Sequence, residues 1–347
     1  MRSEQDLVLG VESSCDEMAA AVVRGGNTIL SNVIHGQADL HAPYGGVVPE
    51  LASRDHVRAI SRVVQEALTQ ASVEPEELAG VAVTVGPGLI GSLLVGLSFA
   101  KALAYRFRLP LVGIHHLSGH LASIALGSET VTAPHLGLVV SGGHTALYRL
   151  ESPGISVLLG ETRDDAVGEC FDKVAKLLGL PYPGGPSVSA AASAGCAEAL
   201  SFPRPLEGAA GLDFSYSGLK TAVALEVKKR TPLSQADRAD LAASFEAAAT
   251  DVLIARTRRA VRQEGLGSVV VVGGVAANRR LREGMARAAR EDGFRAVFPP
   301  PALCTDNAAM IAAAGWQRLA RGEQDDLRLN AFSRCPLAPA RAPRTPA

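Results

Sequence analysis

His116 and His120 stand four residues apart in Ile114-His115-His116-Leu117-Ser118-Gly119-His120-Leu121. On a helix that spacing puts two imidazoles on one face, a turn apart, as a shared metal ion requires. A zinc peptidase would carry a Glu directly after the first His, in the pattern H-E-x-x-H. Leu117 holds that place, so peptidase chemistry is excluded. A third ligand must come from elsewhere, and Asp306, just ahead of the final helical stretch in Cys304-Thr305-Asp306-Asn307, is the candidate. A second group is Asp16-Glu17, at the tip of the first expected hairpin. It suits proton transfer, or it is an ordinary solvated turn. Asp172 falls on an amphipathic helix expected to begin near Asp165, where an ion pair with Lys176 is the structural alternative.

Four glycine turns follow strands or precede helices: Gly86-Pro87-Gly88, Ser141-Gly142-Gly143, Gly184-Gly185 and Gly273-Gly274. Glycine lets a ligand approach the backbone, and helix N-termini offer unpaired N–H groups to an anion. A single such turn is only a turn; the repetition points to a phosphate site. Gly86–Gly91 also fits G-x-G-x-x-G, but a dinucleotide fold needs an acidic residue at the end of the next strand. That strand ends in His115-His116, which removes the reading. No G-x-x-x-x-G-K-[ST] stretch is present.

These residues need elements to hold them, and the apolar periodicity supplies two similar sets. Short apolar runs at Leu7–Val11, Ala19–Val23 and Thr28–Ile34 predict hairpins. An amphipathic helix follows over about Pro49–Ala71, then a strand at Val81–Val85, a helix from Leu89 and a strand at Leu111–Ile114. The second half repeats the order. Strands are predicted at Leu136–Val140, Ala146–Leu150 and Ile155–Leu159, a long helix over about Ser234–Glu264, a strand at Val269–Val272 and a helix from Ala276. The expected domains are 1–112 and 113–306. The final helix, within 307–335, packs back on the first domain, and 336–347 form a disordered tail.

The 347 residues suit two domains, and with 47% apolar and 4% aromatic content the cores must be Ala, Val, Leu and Ile. A net charge of −1 gives no global attraction to a phosphate backbone, so a nucleic-acid partner would need a local basic patch or a helper subunit. Lys228-Lys229-Arg230, Arg256 with Arg258, Arg259 and Arg262, and Arg279-Arg280 with Arg282 are candidates. Five scattered cysteines without C-x-x-C spacing fit a reducing compartment. The polar start reads as no signal peptide, and the apolar run from Leu89 meets Lys101, so cytoplasmic placement without a membrane is expected.

Taken together, the motifs resemble the bacterial tRNA N6-adenosine threonylcarbamoyltransferases, the TsaD family. They are Gly10–Glu17, Tyr44–His56, Gly86–Leu89, His116 with His120, Val140–Thr145, Tyr182–Pro186, Phe214–Lys220, Gly273–Asn278 and Cys304–Asn307. The resemblance runs in order from about Leu7 to Leu337. It implies an α/β fold of two ribonuclease-H-like domains flanking a cleft, as in actin, sugar kinases and heat-shock ATPases. It implies transfer of a threonylcarbamoyl group from threonylcarbamoyladenylate to the N6 amine of the adenosine 3′ of the anticodon. The tRNAs are those reading codons that begin with A. By motif position His116, His120 and Asp306 would hold one divalent metal, iron(II) or alternatively zinc. Val139, Val140, Ser141, Gly142, Gly143, Asp172, Gly185 and Asn278 would hold the adenylate, and Asp16 or Glu17 would act as base. TsaB, an inactive paralogue, and TsaE, a small ATPase, are the implied partners beside tRNA. Two positions depart from the pattern: Met18 where many members have Thr, and Ser189 where many have Asp. The rival is an ATP-dependent phosphotransferase of the same fold, which uses magnesium and has no task for a His-His-Asp cluster.

Overall fold

The computed structural model describes residues 3–152 and 154–337. The expected tail therefore falls largely outside the described residues. The chain divides into two units: residues up to Thr130 with Pro299–Leu337, and Val131–Phe298. The sequence reading set this boundary at 112. It lies later because the strand at Leu111 completes the first sheet and the helix bearing His116 and His120 follows it there.

In the first unit, strands β1 (Leu7–Glu12), β2 (Glu17–Arg24) and β3 (Thr28–Gly36) form an antiparallel meander. A short helix α1 (Ala38–His41) precedes the long α2 (Pro49–Ala71). Strand β4 (Gly80–Gly86), helix α3 (Ile90–Phe107), strand β5 (Leu111–His115) and helix α4 (His116–Ala122) follow. The sheet order is β3-β2-β1-β4-β5, with β4 and β5 parallel to β1.

Strand alternation sends Leu9, Val11, Ala20, Val22, Val81 and Val83 to one face, under Ile60, Val63, Val64 and Ala67 of α2 and Leu93 and Leu97 of α3. Val8, Ala19, Ala21, Ala82 and Val112 go to the other face, against Ala308–Ala314. Those residues belong to the last helix of the chain, which returns to this unit. Its alanine face lies so close to the sheet that a Cβ on Gly10 would sit 2.2 Å from the Ala308 carbonyl oxygen. By length and composition α3 could cross a membrane, with 18 residues and mean hydropathy 1.3. The sequence reading passed over it because of Lys101. Here Leu93, Leu97, Ala100 and Ala104 of α3 are built into the core.

The second unit repeats the plan. Strands β6 (His135–Val140), β7 (Thr145–Ser152) and β8 (Ile155–Glu161) form the meander. Helices α5 (Val167–Leu177), α6 (Gly184–Ala192), α7 (Ser217–Arg230) and α8 (Gln235–Glu264) precede β9 (Ser268–Val272), α9 (Arg279–Asp292) and β10 (Arg295–Val297). The order β8-β7-β6-β9-β10, with β9 parallel to β6 and β10 parallel to β9, matches the first sheet strand for strand. Both units are thus ribonuclease-H-like. The last helix is α10 (Ala308–Ala320). Gly184-Gly185, expected as a turn, is instead the opening of α6.

Candidate functional sites in each unit

Helix α4 begins at His116, with the His115 ring as its cap: Nδ1 accepts from Leu117 N at 3.2 Å, and Nε2 donates to the Cys335 carbonyl at 3.1 Å. The helix can lie against α10 because Gly119, between the two histidines, has no side chain; a Cβ there would meet Ile311 Cδ1 at 2.6 Å. Asp306 is placed by the start of α10, where Asn307 caps the helix by accepting from Met310 N at 3.0 Å. His116 Nε2 and His120 Nε2 thereby approach Asp306 Oδ1 to 3.5 and 3.1 Å.

The donor set fits a metal ion. Both nitrogens of His120 are buried without a hydrogen bond, since Nε2 has the distance to Asp306 but not the alignment. His116 Nδ1 donates to Glu12 Oε2 at 3.1 Å, with Ser14 Oγ at 3.2 Å, which leaves Nε2 as the lone-pair nitrogen facing Asp306. A carboxylate behind a ligating imidazole is the usual way to fix ring orientation and tautomer. Glu12 is itself held by Ser14 N at 2.6 Å and Thr84 Oγ1 at 2.7 Å. Burial works against a charged His116, but the Asp306 and Glu12 carboxylates outweigh it and raise its pKa to about 9 in the metal-free protein. Burial likewise works against ionised Glu12, and attraction to His116 overcomes it, so its pKa is lowered. Two imidazoles and a carboxylate suit iron(II) or zinc better than magnesium. Among the described residues this is the cluster able to hold a metal.

Asp16 and Glu17 close the β1–β2 turn in this unit. Glu17 is pushed well above the usual carboxyl range by burial, then by the charges of Asp306 and Asp16 and a hydrogen bond to Asp16. The turn is fixed from outside by groups that the sequence reading did not single out. His56 Nε2 donates to the Cys15 carbonyl at 3.0 Å, and its Nδ1 accepts from Gln37 Nε2 at 2.8 Å. Gln37 Oε1 accepts from His41 Nε2 at 3.1 Å, and His41 Nδ1 accepts from Val48 N at 3.2 Å. Burial lowers the His56 pKa. Glu12, His56 and Gln37 were not legible as site residues. Glu12 and His56 fall inside the quoted motifs without a role of their own, and Gln37 carried no signal beyond its polar type.

In the second unit the β6–β7 turn occupies the same place in the sheet. Val139, Val140 and Ser141 are buried, while Gly142 and Gly143 are exposed, with open space where a Cβ would stand. Neither glycine amide makes a hydrogen bond among the described residues. The start of α5 locks onto this turn: Gly168 N donates to Ser141 O at 3.2 Å, and Val167 N to Thr145 Oγ1 at 2.8 Å. Gly273 has φ +97, and a Cβ there would lie 2.4 Å from the Val140 carbonyl oxygen, so only glycine fits. Asp172, on α5, accepts from Gly184 N at 2.7 Å, and so ties α5 to the opening of α6 beside Gly185. Asn278 caps α9 by accepting from Leu281 N at 2.9 Å. Its Nδ2 donates to Ser189 Oγ at 3.0 Å and Glu246 Oε1 at 2.7 Å. Val139–Gly143, Asp172, Gly185 and Asn278 are thus tied into one framework. It offers free amides to an anion and fixed polar side chains to a polar ligand.

The expected basic patches fare differently. Arg258 is held by Asp292 through two contacts of 2.6 Å, and Arg262 reaches the same carboxylate at 3.3 Å. Arg256, 3% exposed, donates to the Leu206, Ala209 and Gly211 carbonyls, and Arg259 donates to Ala209 and Gly211. Arg256 and Arg259 thus latch the 206–211 loop. Lys229 and Arg230 pair with Glu226, and Arg282 lies 4.8 Å over the Phe298 ring. Charge counting could not see these partners.

The family model described as tRNA N6-adenosine threonylcarbamoyltransferase matches residues 28–313. A protein of that name from Syntrophus aciditrophicus is 52% identical over 332 residues, covering 95% of this chain and 98% of its own length. One from Geobacter sulfurreducens is 54% identical over 331 residues, covering 95% and 97%. Among solved structures, HypF of T. kodakarensis superposes with a TM-score of 0.61 at 15% identity, over 92% of this chain and 48% of its own. Component A of the Acidaminococcus fermentans (R)-2-hydroxyglutaryl-CoA dehydratase gives 0.55 at 16%, over 91% and 99%. These two likenesses concern the fold alone.

Proposed function

Because the chain belongs to the tRNA N6-adenosine threonylcarbamoyltransferase family, we propose that it moves a threonylcarbamoyl group from threonylcarbamoyladenylate to the N6 amine of the adenosine 3′ of the anticodon. The tRNAs are those reading codons that begin with A, and AMP is released. The observation that carries the reading is the buried His116–His120–Asp306 set, backed by Glu12, in a chain that also carries glycine turns with open space above them.

The donor is a mixed anhydride and already activated, so no protein nucleophile is needed. The amine attacks the carbonyl carbon, the bond to the phosphate oxygen breaks, and AMP leaves with the electron pair. The amides of Gly142 and Gly143 are free to receive the phosphate, whose charge grows as the bond breaks. Asp172 and Asn278, both anchored to backbone, orient the nucleoside. Asp16 takes the proton that the amine sheds, with Glu17 hydrogen-bonded beside it. His116, His120 and Asp306 would hold an ion, which would supply Lewis-acid polarisation of a substrate oxygen. Iron(II) is our assignment, with zinc as the alternative. tRNA is the acceptor, TsaB and TsaE are the proposed protein partners, and the cytoplasm is the proposed compartment.

Mass spectrometry of tRNA nucleosides after incubation with the purified protein, threonylcarbamoyladenylate and those partners tests the proposal. Threonylcarbamoyladenosine should accumulate with AMP in equal amounts. AMP without modified tRNA, or neither product, overturns it.

A further inference from the structure

Helix α8 brings a carboxylate into the glycine-lined site that the reaction above leaves without a task. Glu246 lies mid-helix among Ala242, Ala243, Phe245 and Ala247, and is 9% exposed. A glutamate so buried ordinarily has a cation or a full set of donors around it. Its Oε1 accepts from Ser189 Oγ at 2.6 Å and from Asn278 Nδ2 at 2.7 Å. Among the described residues no hydrogen bond reaches Oε2 and no cation pairs with either oxygen. A carboxylate offers about four lone-pair positions, so roughly half of its capacity is unmet.

Both partners are themselves fixed. Asn278 Oδ1 is committed to capping α9, and Ser189 stands one helical turn beyond Gly185 on α6. The Oε1 bonds therefore pin the side chain beside residues already placed around the adenylate, and leave Oε2 for a ligand. An acceptor-only group repels phosphate and welcomes O–H or N–H.

Resting on the proposed reaction, we infer that Glu246 accepts a hydrogen bond through Oε2 from the adenosine moiety of the adenylate, donated by a ribose hydroxyl or by the exocyclic amine. Glu246 then sets the direction of the nucleotide: its nucleoside end lies against α8, and its phosphate goes to the Gly142 and Gly143 amides. Ser189 is a donor to Glu246, so the acidic group reaches the site from α8 rather than from α6.

Calorimetric titration with AMP, 2′,3′-dideoxy-AMP and purine riboside monophosphate, which lacks the amine, separates the two donors. Wild-type protein should prefer AMP over one analogue by roughly tenfold to a hundredfold, the range for a hydrogen bond to a charged group. Glu246→Gln keeps an acceptor for Ser189 and Asn278 but puts an N–H donor at the second position. In that variant the preference should collapse to roughly threefold or less. Glu246→Ala, one more alanine in an alanine-rich helix, should show the same collapse. Equal weakening of all three ligands means that the carboxylate only props Asn278, and overturns the inference; so does an unchanged preference. If wild-type protein binds none of the three, the proposed reaction fails as well, which distinguishes the two.

Discussion

The turns joining β1 to β2 and β6 to β7 occupy equivalent places in two sheets of identical order, yet they are filled in opposite ways. The first packs Ser13, Ser14 and Asp16 into the interior, pins the Cys15 carbonyl with His56, and adjoins a buried imidazole–carboxylate cluster. The second buries Ser141 but leaves Gly142 and Gly143 bare, with their amides uncommitted. One turn works through side chains that must be electrostatically balanced. The other works through backbone that must be kept clear. On the proposed function, the same strand plan would serve proton and metal chemistry in one unit and anion binding in the other, and the two turns differ in whether side chains or bare backbone fill them.

The comparison can be broken most severely on its metal side. His116→Ala/His120→Ala should take metal content, measured by elemental analysis, from about one ion per chain to background. Transfer should fall on the order of a thousandfold, as several kcal/mol of Lewis-acid stabilisation implies. Retention of the metal by that variant would discard the site.

Next come the side-chain roles in the two turns. Single-turnover transfer should slow by roughly a hundredfold or more in Asp16→Ala, with adenylate affinity nearly intact, as for a lost base. Asn278→Ala should instead weaken adenylate binding by roughly tenfold and, through the lost cap, cost about 1 kcal/mol of stability. If Asp16→Ala bound poorly and turned over normally at saturation, Asp16 would hold substrate rather than move a proton.

Glu12→Gln should lower metal affinity by roughly 10- to 100-fold, because the ligand's supporting carboxylate loses its charge. The same carboxylate, with Asp306, holds His116 protonated up to about pH 9 in the metal-free protein. A metal must displace that proton, so competitive metal titrations should show affinity falling about tenfold per unit as pH drops below 9. Since this pKa is raised above the ordinary 6.5, the ion pair stabilises the metal-free fold fully below about 6.5 and loses its effect as pH rises through 9. A flat affinity between pH 6 and 8 would show that His116 is not protonated there.

The glycine turns give the smallest contrast. Gly273→Ala should destabilise the protein by about 1–3 kcal/mol, since alanine must adopt a left-handed φ and displace the Val140 carbonyl. Gly142→Ala enters open space and should change the unfolding midpoint little, about 0.5 kcal/mol or less. Equal effects in denaturant titrations would erase the distinction between a glycine kept for packing and one kept for access.

How much of this was written in the one-dimensional chain follows from the range of each interaction. The short apolar runs Leu7–Val11 and Leu136–Val140, and the 3.6-residue period of Pro49–Ala71, are local signals, so the elements and their repetition could be read directly. The i, i+4 spacing of His116 and His120 is local too. Glycine at 142, 143 and 273 marked the turns without saying which amides would stay free. What required the folded chain was every pairing between distant residues. Gly119 admits α10 and so brings Asp306 to the histidines, while Glu12 reaches His116 across 104 positions. Arg256 and Arg258 spend their charges on carbonyls and on Asp292 rather than on solvent. Glu246 meets Ser189 and Asn278 from a helix whose sequence reads only as alanine-rich core. Periodicity is a property of neighbours along the chain; the partner of a buried charge is set by which elements pack together, and only the tertiary structure decides that.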